Sequence, residues 1–166
     1  MEVTFRLAEP EDAAFLYQLM NEDQQYQSCQ PRSLAEIETE LQEGGYRDEY
    51  LHIYVVESDA QAIGLLYLYQ VREGLMRIGL HLIKQQRGRG IGSRLLRLAA
   101  DHVFSNRPTQ RLEADTDVDN EMCKSAFEAA GFRAEAVLRQ FRFHHGSWHD
   151  SILFVLLRDE WSGIKS

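Results

Sequence analysis

The sequence predicts an α/β (α+β) fold, with a mixed, mostly antiparallel sheet of about seven strands flanked by about four helices. Three successive runs, residues 50–57, 62–71 and 75–83, are rich in β-forming residues and are separated by short polar segments. Connections of hairpin length join antiparallel neighbours. Helical spacing of apolar residues precedes and follows this meander. The resulting order, β-α-α-β-β-β-α-β-α-β-β, predicts helices on both faces of the sheet.

The first elements have clear boundaries. A strand at residues 3–7 runs into Pro10, which suits the first turn of a helix. The Ser-x-x-Glu pattern at residues 33–36 is a capping box that opens a second helix, and the glycine pair at 44–45 ends it. Residues 21–31 are polar and Gln-rich, which indicates a loop or a broken helix. The first helix carries apolar residues at helical spacing, namely Ala13, Leu16, Tyr17 and Met20.

The second half alternates strands and helices. After a glycine-rich segment, a helix presents one apolar stripe, formed by Ile91, Leu95, Leu98, Ala99 and Val103. Asn120 is a suitable N-cap for the next helix, and Gly131 is a suitable stop. A hairpin turn is expected at residues 145–150. Three further strands are predicted at residues 111–115, 137–144 and 151–157.

Size and composition narrow the class of protein. The 166 residues predict a single domain, 1–166, and the net charge of −8 excludes general nucleic-acid binding. No apolar run is long enough to span a membrane, and the N-terminus lacks the features of a signal peptide. Cys29 and Cys123 are too few for a disulfide framework, and no CxxC pair indicates zinc. We therefore expect a cytoplasmic protein.

Positive charge is concentrated in one stretch. Residues 74–100 contain no Asp or Glu, although the whole chain has 26 acidic residues. A basic segment in an acidic chain suggests a local anionic ligand. The basic residues of this stretch are Arg77, Lys84, Arg87, Arg89, Arg94 and Arg97.

Within this stretch, residues 82–93 lead from a strand through a glycine-rich turn into a helix. Glycines let the backbone approach a ligand, and the N–H groups of the helix's first turn then face a phosphate. A plain basic turn is the alternative. The segment does not match the Walker phosphate-binding pattern, because it has no Gly-Lys before the helix. It does not match the dinucleotide-binding pattern Gly-x-Gly-x-x-Gly either, because counting from Gly88 places Ser93 at the last glycine position.

These residues carry a resemblance to a known family. Gln85-x-x-Gly88-x-Gly90 resembles the acetyl-CoA pyrophosphate motif of the GNAT superfamily of N-acetyltransferases. Asn120 followed by Gly131-Phe132 is similar to a second signature of that family. Three C-terminal patterns resemble the subgroup that acetylates ribosomal-protein N-termini and includes polyamine and antibiotic acetyltransferases. They are Leu138-Arg139, Gly146-x-x-x-Asp150 and Leu157-x-x-Glu160-Trp161.

The resemblance implies an enzyme that transfers an acetyl group from acetyl-CoA to a primary amine by direct attack in a ternary complex, without a metal. The acceptor would be a protein N-terminus, a polyamine or a small-molecule amine. The resemblance also implies that a backbone N–H around Leu82 stabilises the developing oxyanion. The alternative is a non-catalytic acyl-CoA sensor or interaction domain. The cofactor-binding residues that the resemblance implies are Leu82, Ile83, Lys84, Gln85, Arg87, Gly88, Arg89, Gly90, Ile91, Gly92, Ser93 and Asn120.

Three positions depart from the family pattern. Phe127 stands where many members have a catalytic Tyr. Arg77 stands where many members have a Glu that acts as the general base. Cys123 replaces the Ser that some members of the subgroup use. We therefore take His81 as the candidate proton acceptor and Cys123 as a candidate hydrogen-bond donor to the CoA sulfur. The alternatives are a hydrogen-bonded strand histidine and a packed cysteine.

Other polar and aromatic residues are candidates for the acceptor side. Tyr67 and Tyr69 share a strand face and either line the cleft or belong to the core. The histidines around Trp148 lack the ligand spacing of a metal site, so their hairpin would border the substrate entrance or a homodimer contact. These histidines are His144, His145 and His149. An alternating acidic run either attracts a cationic substrate or is simply solvated; it comprises Glu113, Asp115, Asp117, Asp119 and Glu121.

Overall fold

Seven strands form one sheet in the computed structural model, which describes residues 2–22 and 31–165. The spatial order is β1-β2-β3-β4-β5-β7-β6. All neighbouring pairs are antiparallel except β4 and β5, which are parallel. The strands are β1 (Val3–Leu7), β2 (Leu51–Ser58), β3 (Gln61–Arg72), β4 (Leu75–Leu82), β5 (Arg111–Asp117), β6 (Arg133–His144) and β7 (Ser147–Leu157).

Five α-helices occur in the described part of the chain. They are α1 (Ala13–Glu22), α2 (Leu34–Glu43), α3 (Ile91–Asn106), α4 (Glu121–Ala129) and α5 (Arg158–Lys165). Single 3-10 turns occupy Pro10–Asp12 and Lys84–Gln86. The sequence predicted the first four helices, and α5, an eight-residue helix directly after β7, is additional. Most of the segment predicted as loop or broken helix, residues 23–30, lies outside the described residues.

Local signals account for the helix ends. Ser33 caps α2 by accepting the Glu36 N–H at 3.2 Å, and the Glu36 carboxylate accepts the Ser33 N–H at 2.7 Å. Gly44 ends the same helix in the left-handed region, with φ of 76°. Asn120 caps α4 by accepting the Cys123 N–H at 3.2 Å. These predictions from the sequence are confirmed.

Two apolar cores lie on opposite faces of the sheet. One contains residues of α3 and α4 together with the face of β4 that carries Ile78 and Leu82. The other contains residues of α1 and α2 against Val55 of β2 and Leu65 of β3. Alternation along each strand assigns successive side chains to opposite faces. The predicted arrangement, a mixed sheet with helices on both faces, is therefore confirmed. Among the described residues, no helix is both long and apolar enough to cross a bilayer.

The turn between β6 and β7 is shorter than the sequence suggested. His145 and Gly146 have φ of 52° and 75° and form a two-residue turn. Two successive positive φ values match the twist of a tight hairpin. As a result β7 begins at Ser147, and Trp148 and His149 belong to the strand rather than to a six-residue loop.

Candidate active site

The parallel strands β4 and β5 pair only at one end. Their register joins Leu75 with Arg111, Met76 with Leu112 and Arg77 with Glu113, and no pairing follows. At the far end of β4, the Ile83 N–H donates to the Ile63 carbonyl of β3 at 2.9 Å. Since backbone groups of successive strand residues point to opposite sides, the Leu82 N–H points away from β3. The sheet thus opens a gap between β4 and β5 beside Leu82.

A glycine-rich loop adjoins this gap. Gly88 and Gly90 have φ of 73° and 74°, and an added Cβ at either would meet nothing within 4 Å. Gly90 is the N-cap of the 16-residue helix α3 and offers no capping side chain. Gly92 lies close to Leu80 of β4 and Ala126 of α4, 3.8 and 3.7 Å from where its Cβ would be. The first turn of α3 therefore meets the gap with uncapped N–H groups, which suits an anion.

The remaining predicted cofactor residues follow the loop in order. Lys84, Gln85 and Arg89 are exposed, while Ile91 is buried under the start of α3. The Ser93 hydroxyl donates to the Gly90 carbonyl at 3.0 Å. Ile83 accepts the Gln86 N–H at 3.0 Å in addition to donating to β3, so both of its backbone groups are bonded. Its N–H is therefore committed to β3 in this structure.

His81, the candidate proton acceptor, lies on β4 beside Arg87. The Arg87 guanidinium donates to the Leu82 carbonyl at 2.8 Å and lies 3.2 Å from His81 Nε2. Because a guanidinium has only donors, His81 Nε2 accepts in this contact. Its Nε2 lone pair is then occupied in this conformation. A role for His81 as proton acceptor would need Arg87 to move from this position, and it stays a prediction.

Cys123 is packed at the start of α4. Burial raises the pKa of its thiol; a hydrogen bond with Thr116 and the charge of Arg142 oppose that rise, and two carboxylates add to it. Those carboxylates are Asp115 and Asp117 of β5. The neutral thiol is therefore the form at neutral pH, and it is a weak donor rather than a nucleophile.

Phe127 and Arg77, two of the three departures from the family pattern, have structural partners. The Phe127 ring is 4% exposed and stacks on Phe154 with centroids 5.1 Å apart. A hydroxyl at this position would lie in an apolar core. Arg77 Nε donates to Glu113 at 3.1 Å, and its guanidinium lies 5.9 Å from the centre of the Phe141 ring. Tyr67 and Tyr69 stack on each other with centroids 6.3 Å apart.

Three members of the predicted acidic run lie on β5 and are paired, whereas Asp119 and Glu121 follow the strand and are exposed. Glu113 accepts from Arg77 and, at 2.7 Å, from Arg111. Burial opposes ionisation of Glu113, but these hydrogen bonds outweigh it and hold its pKa below the ordinary value. Asp115 accepts from Arg142 at 2.5 Å. The carboxylates that share this strand face are largely neutralised, so they are not an open anionic surface.

The hairpin histidines join this strand face. His144 Nε2 lies 2.5 Å from Asp117 Oδ2, and both side chains are almost completely buried. The His149 ring stacks on the His144 ring at 3.7 Å. Sequence reasoning named Asp117 and His144 separately and missed their contact. The alternation of acidic residues on β5 was the available signal, because it places Glu113, Asp115 and Asp117 on one face.

Comparison with known proteins agrees with this geometry. The sequence model of a family described as "Acetyltransferase (GNAT) domain" matches residues 2–133. "Probable N-acetyltransferase YjcK" of Bacillus subtilis (strain 168) is 31% identical over 126 residues, which are 74% of this chain and 70% of that protein. Spermidine N(1)-acetyltransferase of Escherichia coli (strain K12) is 24% identical over 163 residues, 96% of this chain and 88% of its own length.

A solved structure shows the same fold. Spermidine N-acetyltransferase from Vibrio cholerae, in complex with CoA and spermine, superposes with a TM-score of 0.88 at 22% identity. The superposition covers 96% of this chain and 98% of the other. The fold predicted from the element order is therefore confirmed over nearly the whole chain.

Proposed function

Because the chain belongs to the acetyltransferase (GNAT) family and is an acetyl-CoA-dependent amine N-acetyltransferase, we propose that the gap between β4 and β5 is its acetyl-transfer site. The observation that carries this proposal is the loss of β4–β5 pairing after three residue pairs, directly beside the glycine loop. An extended molecule can pair there with the free edge of β4. We propose further that residues 1–166 act as one acetyltransferase domain.

The glycine loop would hold the pyrophosphate of acetyl-CoA. Three features fit this anion: left-handed glycines at 88 and 90, the positive end of the α3 dipole, and the basic stretch around them. The free space above Gly88 and Gly90 lets phosphate oxygens approach the backbone. Exposed Lys84 and Arg89 would add positive charge at the rim.

The acyl arm would lie along the open edge of β4. Acetyl-CoA supplies the acetyl group as a thioester, and the Leu82 N–H would donate to its carbonyl oxygen, where negative charge develops during attack. Asn120 and Cys123 would flank the arm from the start of α4, since the Asn120 side chain holds the Cys123 N–H. Arg87, now bonded to the Leu82 carbonyl, would exchange that bond for a contact with the cofactor.

The acceptor is proposed to be a small polycationic amine of the polyamine type. The protein carries a net charge of −8, and all of its acidic residues lie outside the basic stretch at 74–100. Such a field raises the local concentration of a cation. A relative that aligns with 96% of this chain is a spermidine N(1)-acetyltransferase. Tyr67 and Tyr69, stacked on the face of β3 that also carries Leu65, would offer apolar contacts to its methylene chain.

A thiol-release assay tests this proposal. Purified protein and acetyl-CoA would be mixed in turn with spermidine, a monoamine such as butylamine, an aminoglycoside and a peptide with a free N-terminus. We expect the highest kcat/KM with spermidine. A higher kcat/KM with the peptide would mean that the acceptor is a peptide N-terminus and not a polyamine. Acetyl-CoA that raises the melting temperature without turnover of any amine would instead support a non-catalytic acyl-CoA sensor.

A further inference from the structure

Three side chains form a hydrogen-bonded chain from the end of β5 to solvent. Asp117 Oδ2 lies 2.5 Å from His144 Nε2, and His144 Nδ1 lies 3.1 Å from His145 Nδ1. The Asp117 and His144 side chains are 2% and 4% exposed, whereas His145 is exposed in the hairpin turn. Each imidazole can accept a proton at one nitrogen and release one at the other. The chain therefore connects a buried carboxylate to water.

The buried end of this chain has an unused acceptor. Asp117 Oδ1 is buried and has no hydrogen-bond partner within residues 2–22 and 31–165. Leaving such an oxygen unpaired is unfavourable, so a carboxylate of this kind calls for a functional explanation. A cationic amine is a donor that would complete it.

The position of Asp117 agrees with that explanation. The β4–β5 register joins Arg77 with Glu113, and its continuation sets Asp117 level with His81 across the gap. Asp117 and His81 also share a face of the sheet, because both alternate with residues that point into the α3–α4 core. On the other side of β5, the charge of Asp117 contributes to the raised pKa of the Cys123 thiol, so the two groups are close. Asp117 thus lies at the proposed transfer site.

The histidine pair is arranged for stacking and does not converge on a metal. Ligand atoms of Asp117, His144 and His149 lie within 4.8 Å of one another. However, the two rings are 3.7 Å apart with an interplanar angle of 8°, so their lone pairs run nearly parallel. His149 Nε2 is engaged by the Ser147 hydroxyl at 2.9 Å and the His144 carbonyl at 3.1 Å. The stack fixes the His144 ring for contact with Asp117.

We propose that Asp117, His144 and His145 form the proton relay for the acceptor amine, an inference that rests on the proposed function. The ammonium group gives one proton to Asp117 Oδ1, directly or through one water. As Asp117 Oδ1 takes this proton, the proton shared between Asp117 Oδ2 and His144 Nε2 moves onto Nε2, and His144 releases its Nδ1 proton to His145 Nδ1. His145 then releases a proton from its Nε2 to solvent. Asp117 touches the amine, while His144 and His145 act through it.

The transfer step then balances. The neutral amine nitrogen forms a C–N bond with the acetyl carbon, and the C–S bond of the thioester breaks. The nitrogen loses its second proton to the departing thiolate, which becomes the free thiol of CoA. One turnover converts an ammonium ion and acetyl-CoA into an amide, CoA and one proton, and the relay conducts that proton away.

The charged and titratable groups around His144 come from strands β5, β6 and β7, from the turn between β6 and β7, and from α4. Asp117 of β5 faces it directly, and the paired Asp115 and Arg142 lie one position earlier on the same face. His149 of β7 and His145 of the turn are its histidine neighbours. The Cys123 thiol of α4 lies beyond Asp117 and stays protonated. Asp117 is therefore the nearest anion to His144 among the described groups.

The test compares pH profiles of kcat for wild type and His144→Gln, with spermidine as acceptor. Glutamine can still donate to Asp117 but cannot conduct a proton. We expect kcat of His144→Gln to fall by ~10²-fold at pH 7. The deficit should shrink to a few-fold near pH 10, because the amine then loses its proton unaided at a pKa of ~10. Acetyl-CoA affinity, measured by calorimetry, should stay within about twofold.

Two further variants guard this test. His145→Asn keeps a residue that tolerates positive φ and should reduce kcat about threefold to tenfold at pH 7, with the same recovery at high pH. His102→Gln is the control, because His102 of α3 packs on Phe5 and Tyr54 outside the relay, and its pH profile should match wild type. If His144→Gln does not fold, His145→Asn decides alone. A loss of kcat that is equal at pH 7 and pH 10, or no loss at either pH, overturns the relay. If the wild type turns over in the same experiment, the proposed function still holds. An inactive wild type overturns both.

Discussion

One face of the sheet is built in two different ways. Along β2 and β3 it carries Val55 and Leu65, both fully buried against α1 and α2. Along β5 the same face carries Glu113, Asp115 and Asp117, each paired with a basic side chain. The two halves belong to one sheet and are separated by the gap that opens beside β4.

The difference follows from what covers each half. Two helices exclude water from the first half, so apolar side chains are stabilising there. Among the described residues, no apolar cluster covers the β5 face. Its carboxylates pair instead with three partly exposed arginines and with the buried His144. Buried charges of this kind contribute little net stability but must keep their partners. We infer that the first half stabilises the fold and that the second half keeps polar groups beside the gap for chemistry.

The largest effect is expected in the apolar half. Leu65→Ala should lower the free energy of unfolding by about 2–5 kcal/mol, because Leu65 has no exposed surface and its removal leaves a cavity. Urea denaturation followed by circular dichroism measures this. Leu98→Ala on α3, where the side chain is 36% exposed, is the control and should change the value by about 0.5 kcal/mol or less. If Leu65→Ala lowered the free energy of unfolding by less than Leu98→Ala does, the apolar half would not be the part that stabilises the fold.

Next in size is the effect of a carboxylate in the glycine loop. Gly90→Glu should weaken acetyl-CoA binding by at least ~100-fold, because its negative charge would repel the pyrophosphate. Gly44→Glu is a matched control, since Gly44 has φ of 76° and open space at its Cβ, as Gly90 does. Calorimetric titration of both folded variants with acetyl-CoA measures the difference. Equal affinities would move the phosphate site away from α3.

A smaller effect should come from the ion pairs of the polar half. Glu113→Gln should destabilise the protein by about 1–2 kcal/mol at pH 7, since Arg77 and Arg111 lose their shared carboxylate but remain partly exposed. Glu135→Gln, whose carboxylate is 49% exposed, is the control and should cost about 0.5 kcal/mol or less.

The pH dependence of Glu113→Gln has a definite sign. The folded pKa of Glu113 is lowered, so its stabilisation is complete above the unfolded value of about 4.3. It is lost as the pH falls through the lowered folded pKa. Thermal melts from pH 7 to pH 3 should therefore show the wild type and Glu113→Gln converging at the acid end. If the difference in melting temperature between the two proteins stayed constant with pH, the ion pairs of Glu113 would not be its cause.

The smallest effect is expected at Cys123. Cys123→Ala should lower kcat by less than tenfold, because a CoA thiolate leaves readily and the Cys123 S–H is only a weak donor. Cys123→Ser should keep or slightly raise kcat, since a hydroxyl is the better donor. Steady-state kinetics on both variants, with circular dichroism as the folding control, measure this. A loss of several hundred-fold in folded Cys123→Ala would make the thiol catalytic.

Features that depend on neighbours in the chain were predictable from the sequence. The Ser33 capping box, the Gly44 stop and the Asn120 cap are local patterns, and each has the predicted hydrogen bond or backbone conformation. The glycine loop and the order of the strands follow in the same way, because side-chain periodicity and turn residues act over a few positions. The family followed from motifs of this local kind.

Contacts between distant residues were decided by the tertiary structure. Asp117 meets His144 from 27 positions away, and Arg77 meets Glu113 from 36 positions away. The place where β4 and β5 separate depends on their register, which no local pattern specifies. The sequence left His81 as either a proton acceptor or a hydrogen-bonded strand histidine, and folding brings the Arg87 guanidinium to its Nε2. Since proton transfer depends on which donor meets which acceptor, the sequence by itself determined the fold and the reaction, and only the packing of strands decided which groups can move the proton.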